Sequence, residues 1–380
     1  MEPCRLFPSG LRGTGVLTAI PSSCHGIAPL RLKRSSLRLR GGEGNSTEQI
    51  SLDVSNETSL EHAFNSAKDC DALEEMSGDF FRISSALTPA EEMYMKALAL
   101  EPNHSTTLCN YGLFLQNVRK NITAAETHYK KALGADRNHS TTLYNYARLL
   151  QECKRDPAAA EELYRRAIQS DPEHSHVLCS YGLLRLVVHR DVDGAEELYK
   201  RALKSDPNHV ATLYNYGSLL EGVRQNFSGA EEMYKRVLSV DPNHSTTLSN
   251  YGGLLHTVIR DYDAAERLYK RALEHDANST ATLCNYGLLQ QTVRANFAIA
   301  QSLYLRSLAV DPGHVPTLCN YAYLSATSQN YTKAEELLVR ALDTEPTHEF
   351  AQHFLAWVRN KTSTGAQPPR GESLGGQKST

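Results

Sequence analysis

The sequence repeats itself every 35 residues, and this period constrains the fold more than any other feature. One tyrosine series recurs at that step from Tyr94 to Tyr304, and a second runs from Tyr111 to Tyr321. A histidine series that begins at His104 has the same period, with a serine in one position. Because three separate series keep one register, the sequence predicts a stack of equivalent structural units.

Each unit carries two amphipathic helical patterns joined by a short polar turn. In residues 209–243, Leu213 and Leu220 share a helical face in the first half, and Ala230 and Tyr234 share one in the second. A segment such as Asp-Pro-Asn-His then ends the second helix, because proline cannot continue it. We expect the serines that follow this segment to cap the next helix. They are Ser105, Ser140 and Ser245.

This unit resembles the tetratricopeptide repeat. In one copy the signature positions are Leu108, Tyr111, Gly112, Leu115, Ala125, Tyr129 and Ala132. The resemblance implies an all-α fold, a right-handed superhelical solenoid of antiparallel helix pairs whose first helices line a concave groove. Most units here have 35 residues where the family usually has 34, and the extra residue lies between the two helices. The half-a-tetratricopeptide repeats of RNA-processing proteins have a similar period.

The repeat and the composition together divide the chain into four segments. Residues 1–42 hold seven basic residues and one acid, which is typical of either an organelle transit peptide or a disordered basic tail. Residues 43–69 form a polar linker. The array covers residues 70–361, with about eight units and a terminal helix. Residues 362–380 are rich in Gly, Ser and Gln and predict a disordered tail.

The cysteines indicate a reducing compartment. None of the eight forms a CxxC pair, and four of them share one repeat position. These four are Cys109, Cys179, Cys284 and Cys319. Residues one repeat apart are too far from each other for a disulfide, so we expect reduced, partly buried thiols. The protein is therefore predicted to be intracellular and cytoplasmic, or to enter a plastid or mitochondrion if residues 1–42 are a transit peptide.

The resemblance also points to a binding surface. An asparagine precedes the second tyrosine series in six units, at Asn110, Asn145, Asn215, Asn250, Asn285 and Asn320. The family member O-linked N-acetylglucosamine transferase uses a similar asparagine ladder to grip peptide backbone. An amide side chain offers both donors and an acceptor, which match a peptide group without reading its side chain. The alternative is that these asparagines hydrogen-bond only within the array.

The residues beside the asparagines add contact surface without charge. Tyr144 and Tyr214 would supply aromatic surface in the groove. Cysteine occupies this position in four other units, and no unit has Lys or Arg there. Family members that hold the acidic C-termini of heat-shock chaperones need basic groove residues. The sequence therefore argues against that co-chaperone role.

Two patterns of charge run along the array. On the second helices, Glu residues precede Lys or Arg by four positions, as in Glu161–Arg165 and Glu162–Arg166, which predicts ion pairs on a solvated face. A second basic column lies in or near the turn between helices. Its members are Arg119, Lys154, Arg190, Arg224, Arg260 and Arg294. This rim of charge is explained either by solubility and helix C-terminal electrostatics or by an acidic partner.

These features favour a protein–protein interaction scaffold over an enzyme. The net charge of −3 gives no general attraction to nucleic acid. No apolar stretch is long enough to span a membrane. We find no catalytic constellation, no metal site and no cofactor motif, since the recurring histidines are too far apart to share an ion. The prediction is a non-catalytic scaffold that binds protein or peptide segments. An RNA-associated helical-repeat factor, in an organelle, is the alternative.

Overall fold

A computed structural model describes residues 36–38, 49–51 and 87–364. Strands β1 (Ser36–Arg38) and β2 (Gln49–Ser51) pair antiparallel, with Leu37 opposite Ile50. The sequence did not predict these strands. The remainder of the predicted leader and linker, residues 70–86 of the predicted array and residues 365–380 of the predicted tail lie outside the described residues.

From residue 87 onward the described chain is helical. Its α-helices are α1 (Leu87–Leu100), α2 (Ser105–Asn117), α3 (Ile122–Ala135), α4 (Ser140–Leu149), α5 (Pro157–Ser170), α6 (Ser175–His189), α7 (Val192–Ser205), α8 (Val210–Gly222), α9 (Phe227–Val240), α10 (Ser245–Leu254), α11 (Tyr262–His275), α12 (Thr280–Thr292), α13 (Phe297–Val310), α14 (Val315–Thr327), α15 (Tyr331–Thr344) and α16 (Glu349–Thr364). Helices α4 and α10 continue as single π-helical turns, Leu150–Lys154 and Leu255–Ile259. The even-numbered helices from α2 to α14 are the first helices of seven repeats, and the all-α array is confirmed.

The helices form two compact units, and the boundary between them in the sequence lies between Thr212 and Leu213. In the N-terminal unit, the fully buried rings of Tyr129 and Tyr164 lie in a core with leucines such as Leu143. In the C-terminal unit, Tyr304 and leucines of α14 and α15 form an equivalent core. Helix α16 closes this core with buried Leu355 and Val358. The second helices from α3 to α13 therefore bury a tyrosine against a first helix, and α15 buries Leu338 in its place.

The glycine of the Tyr-Gly signature is required by close packing. A Cβ atom added to Gly112 would lie 2.8 Å from the Tyr129 ring, and one added to Gly287 would lie 2.6 Å from the Tyr304 ring. Both distances are below van der Waals contact. The glycine thus lets the two helices of a repeat approach until the tyrosine ring lies on the backbone.

The turn between the two helices explains the 35-residue period. In each of the seven repeats, one residue of this turn adopts a left-handed conformation, such as Lys120 with φ 54°. In 35-residue repeats the chain closes with a bond that reaches six residues back, as from the Asn121 amide to the Leu115 carbonyl at 2.8 Å. In the last repeat, which is one residue shorter, the Asn330 amide reaches five residues back to Ser325. That shorter closure is the ordinary Schellman geometry, so the extra residue widens this turn.

The caps differ from the sequence prediction for the first helices. The Nδ1 atom of His104 accepts a hydrogen bond from the Thr107 amide at 3.2 Å, and His139 and His244 do the same in their repeats. Ser105, which we expected to be the cap, is already the first helical residue. The histidine series therefore occupies the N-cap position, although the side chains of His174 and His314 make no capping hydrogen bond. The extended backbone of His104, His139 and His244 directs the imidazole toward the first amides of the helix. Shorter side chains such as Ser or Asn usually have this capping role.

Candidate peptide-binding surface

The predicted groove residues lie on the first helices, on what we call the first-helix face. In six repeats this face comprises the asparagine of the predicted ladder and the residue before it, and in the repeat of α6 Ser180 takes the place of the asparagine. Tyr144, Tyr214 and Asn250 are half-buried, whereas Asn145 is buried. The face thus presents aromatic surface that remains accessible.

The asparagines contact the preceding repeat. The Asn250 amide donates to the Tyr214 hydroxyl at 3.0 Å. Asn145 and Asn320 donate to the Cys109 and Cys284 sulfur atoms at 3.5 and 3.4 Å. Each bond joins a ladder asparagine to the residue beside the asparagine one repeat earlier. The ladder therefore ties adjacent first helices together within each compact unit.

Burial separates the ladder into two groups. Four members are at most 7% exposed, namely Asn110, Asn145, Asn285 and Asn320. Asn215 and Asn250 are half-buried. Among the described residues, the Asn110 amide nitrogen has no hydrogen-bond partner. The residue equivalent to Cys109 one repeat earlier, which would accept this hydrogen bond, lies before residue 87. Ligand contact by the ladder stays a prediction, and Asn215 and Asn250 retain the most accessible surface for it.

The basic column is largely engaged in ion pairs. Arg119 pairs with Glu91, and Lys154 pairs with Glu126. Arg294 pairs with Glu266 at 3.1 Å, and Arg224 is also engaged in an interaction. Each of these three pairs joins the turn region of one repeat to the second helix of the preceding repeat. The charges that the sequence suggested as a rim for an acidic partner therefore serve largely to connect repeats.

Two members of the column differ from the others. Arg190 and Arg260 are exposed, and each adopts the left-handed conformation of the turn, with φ of 54° and 67°. In the repeat of Arg190 the neighbouring His189 takes the paired position, 3.0 Å from Glu161. Arg190 and Arg260 thus lie one position after the register of Arg119, and this offset gives them a different structural role.

Each repeating glutamate is a hub between repeats. Glu126 accepts from the Tyr146 hydroxyl at 3.0 Å and pairs with Lys130 at 2.8 Å as well as with Lys154. The hydrogen bonds from Lys130 and Lys154 lower the pKa of Glu126 to about 2. The predicted i,i+4 pair is thus present, and the other two partners come from the next repeat. Equivalent hubs form at Glu161 and Glu266.

The second base of each helix has a different partner from the one predicted. Arg166 donates to the Arg137 carbonyl at 2.9 Å instead of forming the expected pair with Glu162. Arg201 and Arg271 likewise donate to the carbonyls of Pro172 and Pro242. These arginines tie a second helix to the loop that precedes the same repeat's first helix, where orphan carbonyls at a helix C-terminus attract cations.

Comparison with protein families agrees with this architecture. The tetratricopeptide-repeat family model matches residues 119–175 and 183–245. Within these two segments the chain is built of tetratricopeptide repeats. Its helix pairs, its buried tyrosines and its Tyr-Gly contacts occupy the positions that the sequence resemblance assigned. A comparison with curated proteins finds no significant match.

Solved structures show the same tetratricopeptide-repeat fold. The pilF protein of Pseudomonas aeruginosa is 22% identical, with a TM-score of 0.51 over 57% of this chain and 96% of its own. A tetratricopeptide repeat protein of Parabacteroides merdae is 15% identical, with a TM-score of 0.52 over 68% of this chain and 99% of its own. At these identities the likeness is one of fold.

The helical array also carries a basic residue next to the first-helix face that the sequence analysis missed. The guanidinium of Arg148 lies 5.8 Å from the centre of the Tyr144 ring and pairs with Glu152 at 3.0 Å. The rings of His174 and His176 lie about 6 Å from the same tyrosine. Arg148 lies four residues, or about one helical turn, after Tyr144, so the two side chains share a helix face. A search for residues four positions after each groove residue would have found it.

In the C-terminal unit, two buried ionisable groups occupy one equivalent position of the first helices. Glu221 is 7% exposed and accepts a 2.7 Å hydrogen bond from the Tyr234 hydroxyl, and burial raises its pKa. His256 is 8% exposed, and burial lowers its pKa to about 4. Glutamine stands at this position in three other repeats, as in Gln116 bonded to Tyr129. Both groups thus favour their uncharged forms.

The remaining ionisable groups of the described residues do not point to a chemical reaction. The described cysteines are free thiols, and burial raises the pKa of Cys284 to about 11 and of Cys319 to about 12. No described group of three or more His, Cys, Asp or Glu side chains is arranged to hold a metal ion. Among the helices from residue 87 to 364, none combines the length and apolar character needed to cross a bilayer.

Proposed function

We propose that this protein is a non-catalytic scaffold whose first-helix faces bind extended segments of a partner protein. The observation that carries the proposal is the half-exposed pair of Tyr214 and Asn250, joined at 3.0 Å on adjacent first helices. An intracellular site of action is part of the proposal, because the described cysteines are free thiols.

The pair has the chemistry that a peptide backbone needs. One N–H of the Asn250 amide is used by Tyr214. Its second N–H and its carbonyl match the acceptor and the donor of a peptide group. The Tyr214 ring adds apolar area with few rotatable bonds, so little entropy is lost on binding. In the N-terminal unit, Tyr144 offers aromatic surface of the same kind, and Arg148 beside it is paired with Glu152.

The buried asparagines have a supporting role in this proposal. Asn145 and Asn320 fix the spacing of neighbouring first helices through their bonds to cysteine sulfur. A rigid surface lowers the ordering cost that the array itself pays on binding. The partner segment then bears most of that cost.

Peptide display on the full chain, followed by fluorescence-polarisation titration of the selected peptides, tests the proposal. We expect Tyr214→Ala combined with Asn250→Ala to weaken binding at least tenfold. The control is Lys270→Ala, which alters an exposed residue of a second helix. Circular dichroism checks that both variants fold. Failure to select any peptide, or equal affinity in wild type and the double variant, would reject the proposal.

The RNA-binding alternative has less support, because Arg119, Lys154 and Arg294 are already paired with acids. It predicts salt-sensitive binding of single-stranded RNA that falls when Arg190 and Arg260 are changed to alanine. We expect no such binding at physiological salt. RNA binding that those two substitutions abolish would replace the scaffold proposal.

A further inference from the structure

Helix α13 differs from the other second helices on its outward side. Its exposed side chains include Phe297, Ile299, Leu305 and Val310, each between 43% and 52% exposed. The only charged residue of the helix is Arg306. The other second helices from α3 to α15 carry several charges on the same side, as in the Glu-Glu and Lys-Arg pairs of α7.

The departure is concentrated at positions that are charged elsewhere. Leu305 replaces the lysine that α3, α7, α9 and α11 have at this position. Ser302 replaces the exposed glutamate of α5, α7 and α9. Gln301 replaces the glutamate hub and keeps its bond to the next repeat, since its amide donates to the Tyr321 hydroxyl at 3.3 Å. The loss of charge therefore leaves the repeat contact intact while making the outer surface apolar.

An open depression of about 470 Å³ lies along this surface. Its lining residues, which we call the α13 face, are Ala298, Gln301, Ser302, Leu305, Arg306 and Ala309. The alanines, the serine and Leu305 follow the spacing of four, three and four residues that forms the seam between paired helices. The depression exists because the residues around Leu305 are small.

The α13 face is complementary to itself when reversed. Antiparallel pairing about the midpoint between Leu303 and Tyr304 puts Ala298 opposite Ala309, so two small residues face each other. It puts Leu305 opposite Ser302, so the largest apolar side chain enters the notch beside the serine.

The polar residues of the α13 face also match in this pairing. Arg306 falls opposite Gln301, whose amide oxygen accepts from a guanidinium. Arg306 donates one hydrogen bond to the Ala277 carbonyl at 3.3 Å, and its other N–H groups are available by valence. No charge of the face meets a like charge.

We propose that the α13 face is a homodimerisation surface, occupied by the α13 face of a second copy of this chain in antiparallel orientation. All six lining residues find a suitable counterpart about one two-fold axis, as an isologous interface requires. A charged partner would gain little here, because Arg306 is the only charge that the face offers.

The size of the face sets the expected strength. Ala298 to Ala309 spans about 16 Å of helix. One such helix pair buries less than the roughly 800 Å² per partner of a standard stable interface. We therefore expect weak association, with a dissociation constant on the order of 10⁻⁴ M.

Sedimentation of the full chain from about 5 µM to about 0.5 mM brackets that value. We expect a monomer–dimer equilibrium that Leu305→Lys weakens at least tenfold. This variant introduces the residue that four other second helices carry, so it is compatible with the fold. The matched control is Met95→Lys, which changes the equivalent exposed residue of α1, 58% exposed, and leaves the equilibrium unchanged. A chain that stays monomeric to about 0.5 mM, or dimerises equally with Lys at 305, overturns the proposal.

Cysteine cross-linking tests the orientation. The double variant Ala298→Cys/Ala309→Cys should form a covalent dimer under mild oxidation, since a disulfide needs Cα atoms within about 7 Å. Each single variant would leave its cysteine about 16 Å from its copy, so it should cross-link no more than the unmodified chain. Cross-linking of the single variants equal to that of the double variant contradicts the antiparallel pairing.

Discussion

The buried tyrosines of the second helices provide a matched test of how the array is stabilised. Tyr304 and Tyr269 are both fully buried in the C-terminal unit. The Tyr304 hydroxyl donates to the Gln291 side chain at 2.8 Å. The Tyr269 hydroxyl has no hydrogen-bond partner among the described residues. Replacing each tyrosine by phenylalanine removes one oxygen atom from the same repeat position in two different polar environments.

The expected effects have opposite signs. Tyr304→Phe removes a hydrogen bond worth about 1 kcal/mol and leaves the 6%-exposed Gln291 without that donor, so we expect a loss of about 2 kcal/mol. Tyr269→Phe removes a buried hydroxyl whose desolvation is not compensated, so we expect a gain of up to about 1 kcal/mol. The two variants should therefore differ by about 3 kcal/mol, or roughly 6 °C in Tm for an array of this size.

Urea unfolding of both variants measures the difference. Circular dichroism follows the helices, and fluorescence follows the single tryptophan, Trp357, which packs against the core of the C-terminal unit. Two probes are needed because repeat arrays can unfold in parts. Equal destabilisation by the two substitutions would refute the argument, because it would mean that the Tyr269 hydroxyl contributes as much as a bonded one.

Three further predictions follow from individual side chains. Burial raises the pKa of Glu221 above its unfolded value, so its contribution to stability is present below about pH 4.5 and is lost as the pH rises through the folded pKa. Urea midpoints should therefore show Glu221→Gln more stable than wild type near neutral pH, with the gap closing in acid; a constant gap contradicts this. Glu126 has the opposite sign, because its pKa falls to about 2: its stabilisation is present above about pH 4.5 and is lost as the pH falls toward that value. Acid titration of Glu126→Gln should lack that loss, and at neutral pH the variant should cost roughly 1 kcal/mol after allowance for solvent screening. In thermal melts, Gly287→Ala should destabilise by about 1–3 kcal/mol through its contact with the tyrosine ring, whereas Gly134→Ala, which meets no atom within 4 Å, should stabilise by up to about 1 kcal/mol; equal shifts would show that the close contact is not limiting.

The period and the residue classes were enough to predict the helices and their core. Tyr129 and its equivalents are buried because their spacing from Ala125 and Ala132 defines one helical face. Local reasoning failed where a partner lies outside the same helix. The pairing of Lys154 with Glu126 depends on how one repeat stacks on the next, since the two residues are 28 positions apart.

The candidate site was harder to predict for a related reason. The asparagine register was visible in the sequence, but the bond from Asn250 to Tyr214 requires the distance between adjacent first helices. Arg148 escaped notice because it occurs in one repeat only, so no series marks it. A periodic signal identifies what the repeats share. It gives no weight to a residue that stands alone.

That difference also indicates where the specificity of the protein lies. Residues that recur in most repeats, such as the histidine caps, the glutamate hubs and the buried tyrosines, already have partners within the array, so their conservation from repeat to repeat is explained by stacking. A binding partner distinguishes one part of such an array from another only through residues that break the series. In the described chain these include Arg148 beside Tyr144 and the largely apolar face of α13. Substitutions at these positions should change what the protein binds while leaving its helices in place, because none of them supplies a contact that every repeat requires.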